Sequence, residues 1–454
     1  MVEQRKRLGC HRSHYGATMI ALWLLGCVGT QESSGNMPSM SREFIPMEEV
    51  VDTNPDPNIV EISLQAARKE HRIVDAEHEY IFDGYAYNDS LPGPLIRIEK
   101  GMQLIVNFEN QLDMGTTIHW HGLKTSEAMD GVPWMVGPIA SGSSFVYAHE
   151  DMPSGLFWYH PHFDTEHQVD LGLYGMLLVT DPQQPPVDTE IALMLDDWPV
   201  AQEHEQHSAF YQEGIWTVNG VVEPDIAISG STLLHMVNAS NHHYLDLSVD
   251  GGRWVQNDQG MLSAPQERMV LAPGDRGSLL VERDVGRIAV WKHPFSAHGG
   301  MAWGDPTPIF WLDNDSVADP VSWPFSQDAP SHDSGQTDLV YVFHGDPYTD
   351  TWLINGEVFP DITIQSLSLG QHAIIELRNV SAVHHPFHLH GLTFEVLSID
   401  GVAPSTRQIE DTIDMGIYQT TRILVHADNP GDWMLHCHIL PHGDEGMMTV
   451  LRVE

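Results

Sequence analysis

Pro94-Leu95-Ile96-Arg97-Ile98, Pro224-Asp225-Ile226-Ala227-Ile228 and Pro360-Asp361-Ile362-Thr363-Ile364 are copies of one stretch, spaced 130 and 136 residues apart. The first copy runs on to Val106-Asn107, the second to Val237-Asn238 and the third to Arg378-Asn379. Asn219-Gly220 and Asn355-Gly356 precede the second and third copies by the same five residues. A repeat of this length marks whole domains rather than units of a solenoid. Around the copies, short β-branched and apolar runs alternate with Gly, Pro, Asn and Asp, and long helical periodicity is scarce. That is the pattern of β-sandwiches. An all-β chain is expected, with three consecutive sandwich domains at 59–182, 188–315 and 337–454. The Pro-rich stretch 181–187 and the loop 313–337 join them.

The chain has 454 residues, room for about three domains of ordinary size. Its 63 acidic and 21 basic residues give a formal charge of −42. Such a surface repels nucleic acid and favours cations, and it also serves solubility alone. At the N-terminus, Arg5-Lys6-Arg7 precedes the apolar run Met19-Ile20-Ala21-Leu22-Trp23-Leu24-Leu25, then Gly26-Cys27. This is the layout of an export signal, and the run is too short to span a bilayer. Leu24-Leu25-Gly26-Cys27 resembles a bacterial lipoprotein box, with residues 1–27 as the signal and Cys27 as the acylated first mature residue. A plain secretory signal is the alternative. Residues 28–58 are polar and suit a flexible surface tether. Export to the periplasm or cell envelope is expected, with the membrane met only through the lipid anchor.

Cysteine occurs three times, at Cys10, Cys27 and Cys437, whereas histidine occurs 28 times. Four His-x-His dyads stand out: His119/His121, His160/His162, His388/His390 and His436/His438. On a strand, residues i and i+2 share a face, so each dyad presents two imidazoles side by side. Thr117-Ile118-His119-Trp120-His121-Gly122-Leu123 parallels Pro386-Phe387-His388-Leu389-His390-Gly391-Leu392. Gly155 to His162 likewise parallels Gly431 to His438, and the second domain has no dyad. Eight imidazoles from the first and third domains can therefore converge on one interdomain metal cluster. Cys437 adds a thiolate, with His385 nearby in sequence to the third dyad, His442 five residues on and Met447 ten residues on. A thiolate, two imidazoles and a weak thioether form the ligand set of a blue-copper site. Strand alternation points Cys437 to one face and His436 and His438 to the other, so one segment links the two sites.

These motifs, all complete, resemble the three-domain multicopper oxidases over residues 59–454. The resemblance implies three cupredoxin-like Greek-key β-sandwich domains and four copper ions. It gives the type 1 copper His385, Cys437, His442 and axial Met447, and the type 2 copper His119 and His388. The type 3 pair takes His121, His160, His162, His390, His436 and His438. A donor docks beside a partly exposed type 1 histidine, His442 or His385, and the cluster reduces dioxygen to two waters. Protons need acidic relays. Asp130, eleven residues after His119, matches the family's carboxylate near the cluster, although its type also suits capping of the Asp130-Gly131 turn. The family's second relay carboxylate has Gly443 in its place here, leaving Asp444, Glu445 or water to substitute.

The donor is less legible. Cuprous oxidases of this family carry extra Met and Asp ligands and often a Met-rich insertion. This chain has Ser381 and Val383 before His385, and one methionine between Gly401 and Arg422. Glu410, Asp411 and Asp414 read as solvated loop charges, with attraction of a cationic donor as the alternative. A broad laccase-type oxidase of phenols and aromatic amines is expected, acting as a monomer. Oxidation of Cu(I), Fe(II) or Mn(II) is the second reading. A copper nitrite reductase would lack the type 3 ligands, a non-catalytic descendant would have lost some, and a copper-sequestering protein would take up no oxygen with a phenol.

Overall fold

The computed structural model describes residues 42–76, 78–198, 214–282, 286–297, 304–325 and 328–454. The export signal, Cys10, Cys27 and residues 28–41 of the expected tether lie outside these. Among the described residues, α-helix is confined to Pro133–Val136, Thr165–Asp170 and Leu440–Asp444. Everything else that is regular is strand, bar one turn of 3-10 helix, and the strands form three pairs of sheets.

The third pair shows the plan. One sheet runs Thr351–Ile354, Leu339–Asp346, His372–Asn379, Thr420–His426, Phe394–Ile399 and Ile409–Glu410. The other runs Gln365–Leu367, Met448–Val453, Gly431–Cys437, His385–Leu389 and Thr412–Met415. Leu339–Asp346 pairs in parallel with His372–Asn379, and Gln365–Leu367 with Met448–Val453; the other pairings are antiparallel. In the first pair, Ile59–Val74 is likewise parallel to Gln103–Asn110 and Ile96–Glu99 to Gly175–Thr180. The second repeats both relations. These are the three cupredoxin-like sandwiches that the repeat implied.

Strand chemistry explains the layering. In Gln103–Asn110, Leu104, Val106, Phe108 and Asn110 alternate inward while their neighbours are more exposed, so one face is removed from water. The inward asparagine ends this strand in every domain. Asn110, Asn238 and Asn379 are buried, and each donates from Nδ2 to one carbonyl of the following loop and to at least one more on a distant segment. The first repeat therefore closes on Asn110 and not on Asn107, three residues earlier; only inward orientation distinguishes the two. The turn asparagines also have a first-domain counterpart without glycine, since Asn88, Asn219 and Asn355 share a left-handed φ of 50° to 56°.

Residues 42–58 correct the expectation of a free tether. Glu43 bridges to Asp225 in the second domain and Glu49 to Leu95 in the first. Phe44, Met47 and Val50 pack on three different hydrophobic clusters. These apolar residues lie among polar ones, so composition alone reads as linker while burial fixes the strap.

Candidate metal centre

Two strand pairs build the site. His119–His121 lies antiparallel to Gly155–His160, with His119 opposite His160. In the third domain, His385–Leu389 lies antiparallel to Gly431–Cys437, with His388 opposite His436. Alternation sends Trp120 and Tyr159 into the first-domain core and the histidines out of it. The two histidine faces meet across the domain boundary. His119 stacks on His390 at 3.9 Å between ring centroids, and His121 on His388 at 3.7 Å. His162 Nε2 lies 3.4 Å from His436 Nε2, which lies 3.0 Å from His390 Nε2. His438 closes the group, 4.8 Å from His121 and 5.6 Å from His160.

These imidazoles fit metal binding. Nδ1 of His160 donates to the Pro161 carbonyl and Nδ1 of His436 to that of Cys437, both at 2.9 Å. His388 Nδ1 donates to the Asp411 carbonyl at 3.1 Å. What remains is a set of buried ring nitrogens without a hydrogen-bond partner: Nε2 of His119, His160 and His388, Nδ1 of His121, and both nitrogens of His438. Buried polar atoms are otherwise nearly always paired. Burial also holds His121, His160, His162, His390, His436 and His438 well below the usual histidine pKa, so they stay neutral with lone pairs available.

On the opposite face of the same strand, Cys437 Sγ lies 3.5 Å from His385 Nδ1 and 3.6 Å from His442 Nδ1. Met447 is fully buried in the same core cluster, and its carbonyl accepts from Cys437 N at 3.1 Å. Burial pushes the thiol pKa up, so a cation there would be needed to hold it as thiolate. A soft metal suits this donor set. One expectation fails: neither histidine is partly exposed, with His385 at 0% and His442 at 2%. The Trp352 ring covers His442 face to face at 3.4 Å.

Three acidic candidates separate. Asp130 is buried, and its Oδ2 accepts from His390 Nδ1 at 2.8 Å. Its own carbonyl accepts from His119 Nδ1 at 3.0 Å, so this residue orients one imidazole from each domain. Gly131 permits this approach: its φ is +76°, and a Cβ there would meet the Ile118 carbonyl at 1.9 Å. Asp444 instead accepts from Glu166 N at 2.8 Å, and both Asp444 and Glu445 are exposed. The structure shows neither in contact with the imidazoles: the Asp444 carboxylate is held instead against the start of the helix Thr165–Asp170.

The carboxylate that does reach the cluster is Asp411, read from sequence as a solvated loop charge. It is fully buried, with Oδ1 3.3 Å from His121 Nε2 and 3.4 Å from His388 Nδ1. Thr412 Oγ1 sits 3.0 Å from the same His121 nitrogen. From the second domain, Arg276 donates to both Asp411 oxygens at 2.7 and 2.5 Å, and to the Leu156 carbonyl of the first domain. Burial would raise the Asp411 carboxyl, but the guanidinium and the two imidazoles hold it well below the usual range. Glu410 is buried too, and Asp414 is paired with Tyr244 and His384. The second domain, which lacks dyads, thus seals the cluster: Gly274, at φ +89°, packs where a Cβ would meet the His438 ring at 2.8 Å. The only sequence signal was the alternation of residues 411–415, which says nothing of pairing with His388.

Comparison with known proteins places the chain in a family. Two multicopper oxidase family profiles match residues 72–184 and 332–454. A multicopper oxidase of Staphylococcus haemolyticus is 29% identical over 394 residues, covering 81% of this chain and 83% of its own. A laccase of Pediococcus acidilactici superposes with a TM-score of 0.80 at 24% identity, covering 92% and 94% of the two chains. A laccase-like multicopper oxidase of Ochrobactrum sp., active towards lignin model compounds and lignosulfonate, gives 0.75 at 25%, covering 90% and 100%. With eight converging imidazoles and a separate cysteine–histidine site beside them, this chain belongs to the multicopper oxidase family, whose members are copper oxidoreductases that use oxygen.

Proposed function

We propose that the protein is a laccase-type oxidase that couples one-electron oxidation of phenols or aromatic amines to four-electron reduction of dioxygen to water. The observation that carries this reading is the segment His436-Cys437-His438, which joins the two donor sets through consecutive residues. Copper would be held by His385, Cys437, His442 and Met447 at one site, by His119 and His388 at a second, and as a pair by His121, His160, His162, His390, His436 and His438. Four such ions supply electron storage and the reduction of oxygen. The chain's own part is orientation and dryness. Asp130 Oδ2 holds the proton of His390 Nδ1, Asp411 and Thr412 hold His121 and His388, and the second domain closes the cluster to water. Of the three acids expected from sequence to serve as relays, Asp130 is the one in contact with the imidazoles, and passage of protons through its carboxyl is part of the proposal.

An organic donor is favoured because the type 1 site is roofed by an aromatic ring and not by extra sulfur or carboxylate ligands: Ser381 Oγ contacts His385 Nε2 at 2.8 Å, and Trp352 covers His442. The activity of the Ochrobactrum relative towards lignin model compounds points the same way. Oxygen uptake with a panel of phenols, aromatic amines, Cu(I), Fe(II) and Mn(II) tests it. Uptake with the organic donors is expected; uptake with metal ions alone overturns it. Export and acylation at Cys27 are proposed from the N-terminal pattern, and Cys27→Ala should move the protein from the membrane to the soluble fraction with activity intact.

A further inference from the structure

The sealed type 1 site poses a question of access. His385 and His442 have 0% and 2% of their surface exposed, so no donor can touch either imidazole edge. One ring covers His442 and, although itself only 2% exposed, is hydrogen-bonded to an exposed side chain. Trp352 stacks on His442 at 3.4 Å with 16° between the planes, and stands edge-on to His385 at 6.0 Å. It occupies the strand Thr351–Ile354, directly after the hairpin 346–351. Its Nε1–H donates to Asp350 Oδ1 at 2.8 Å, which fixes the ring plane from the solvent side. Asp350 is exposed, and on the same hairpin Tyr348 is 86% exposed.

We propose that Trp352 is the electron inlet of the type 1 site, with the acidic hairpin 346–351 as the surface where the donor docks. The inference rests on the copper-oxidase reading of the His385–Cys437–His442 site. Each donor loses one electron at the hairpin, and a phenol also releases its hydroxyl proton to water. The electron crosses the stacked Trp352 and His442 rings and reduces the copper that His442 would hold; Trp352 ends unchanged. Dioxygen, the family's oxidant, is the final acceptor. An aliphatic side chain of similar bulk keeps the site dry but lacks the overlapping π face.

The test is anaerobic stopped-flow reduction of the blue chromophore in the copper-loaded protein, with a phenol and with hexaammineruthenium(II), a cation that needs no specific pocket. Trp352→Leu should slow reduction by both about tenfold or more, with the blue band and the type 1 potential unchanged, and Trp352→Phe should keep most of the rate. A Leu variant as fast as wild type, or faster, overturns the proposal, because Trp352 is then only a cover. Asp350→Lys keeps the indole at 352 while removing its acceptor, and covers the case in which Leu at 352 fails to load copper. It should slow the ruthenium cation and speed hexacyanoferrate(II), each by several-fold, since opposite charges read the docking surface with opposite sign. Rates for both ions within about twofold of wild type also overturn the proposal. Should the phenol fail with wild type while the ruthenium rate depends on Trp352, the organic-donor reading falls and the inlet stands.

Discussion

The first and third domains are the same sandwich with the same outward histidines, yet only the third gathers a cysteine and two histidines on its other face. Aligned on their dyads, His385, Cys437, His442 and Met447 stand where the first domain has Thr116, Pro161, Glu166 and Leu171. There Thr116 Oγ1 donates to Gln168 at 2.6 Å, an ordinary polar contact. In the third domain the same position brings His385 to 3.5 Å from a buried sulfur. The strands, their register and the cluster-facing imidazoles are retained while four side chains change. A copper site of the blue type is therefore a decoration of one face, and the cluster is a property of two.

The most direct way to break the comparison is to make the third domain resemble the first. Cys437→Ser replaces a soft thiolate with a poor ligand, so the intense blue absorption should vanish and turnover fall roughly a thousandfold. A variant that stays blue would show the thiol lies outside the metal site. Copper at the imidazole cluster should remain, because Cys437 faces away from it.

Asp130 and Asp411 sharpen the comparison, since each ties imidazoles together from a different side. Asp130→Asn keeps the shape but cannot exchange a proton. Reduction of the type 1 copper should be unchanged, and reoxidation by dioxygen should slow by about a hundredfold or more. Stopped-flow reoxidation of the reduced protein at several pH values decides it; the defect should deepen as pH rises and protons become scarce. Asp411→Asn removes the carboxylate that Arg276 clamps and that steadies His121 and His388. Loss of such an outer partner costs about 10–100-fold in metal affinity or activity, read here as weaker copper retention in chelator titrations. Retention equal to wild type would reduce Asp411 to a structural acid.

The smallest effect concerns stability alone. Strand register places His149 of the first domain where the third has Val425. Burial brings the His149 pKa down to about 4 from 6.5, so the folded state favours its neutral form. A depressed pKa means this contribution is intact above about 6.5 and is lost as pH falls through 4, at most about 3 kcal/mol. His149→Val should flatten the fall in melting temperature between pH 6.5 and 4 while leaving oxidase activity at neutral pH alone. An unchanged acid profile would show that His149 is not protonated on unfolding in that range.

What the sequence determined by itself was whatever depends on period and local spacing. A repeat of domain length fixed three sandwiches, period-two alternation fixed which face each dyad shares, and ligand spacing around Cys437 fixed the second donor set. What only the tertiary structure decided depends on residues far apart in the chain. Asp411 and Arg276 are 135 positions apart and come from different domains, so their buried pairing leaves no local trace. Asp444 and Glu445 sit beside a ligand in sequence, yet the Asp444 carboxylate is held against a distant helix. Residues 42–58 look like linker by composition, yet their few apolar side chains find partners in two domains. The cover over His442 belongs to the same class: Trp352 lies 90 residues upstream, and only strand pairing within the third domain lays its ring on the imidazole. Local pattern specifies which way a side chain points; burial against distant neighbours specifies what it meets.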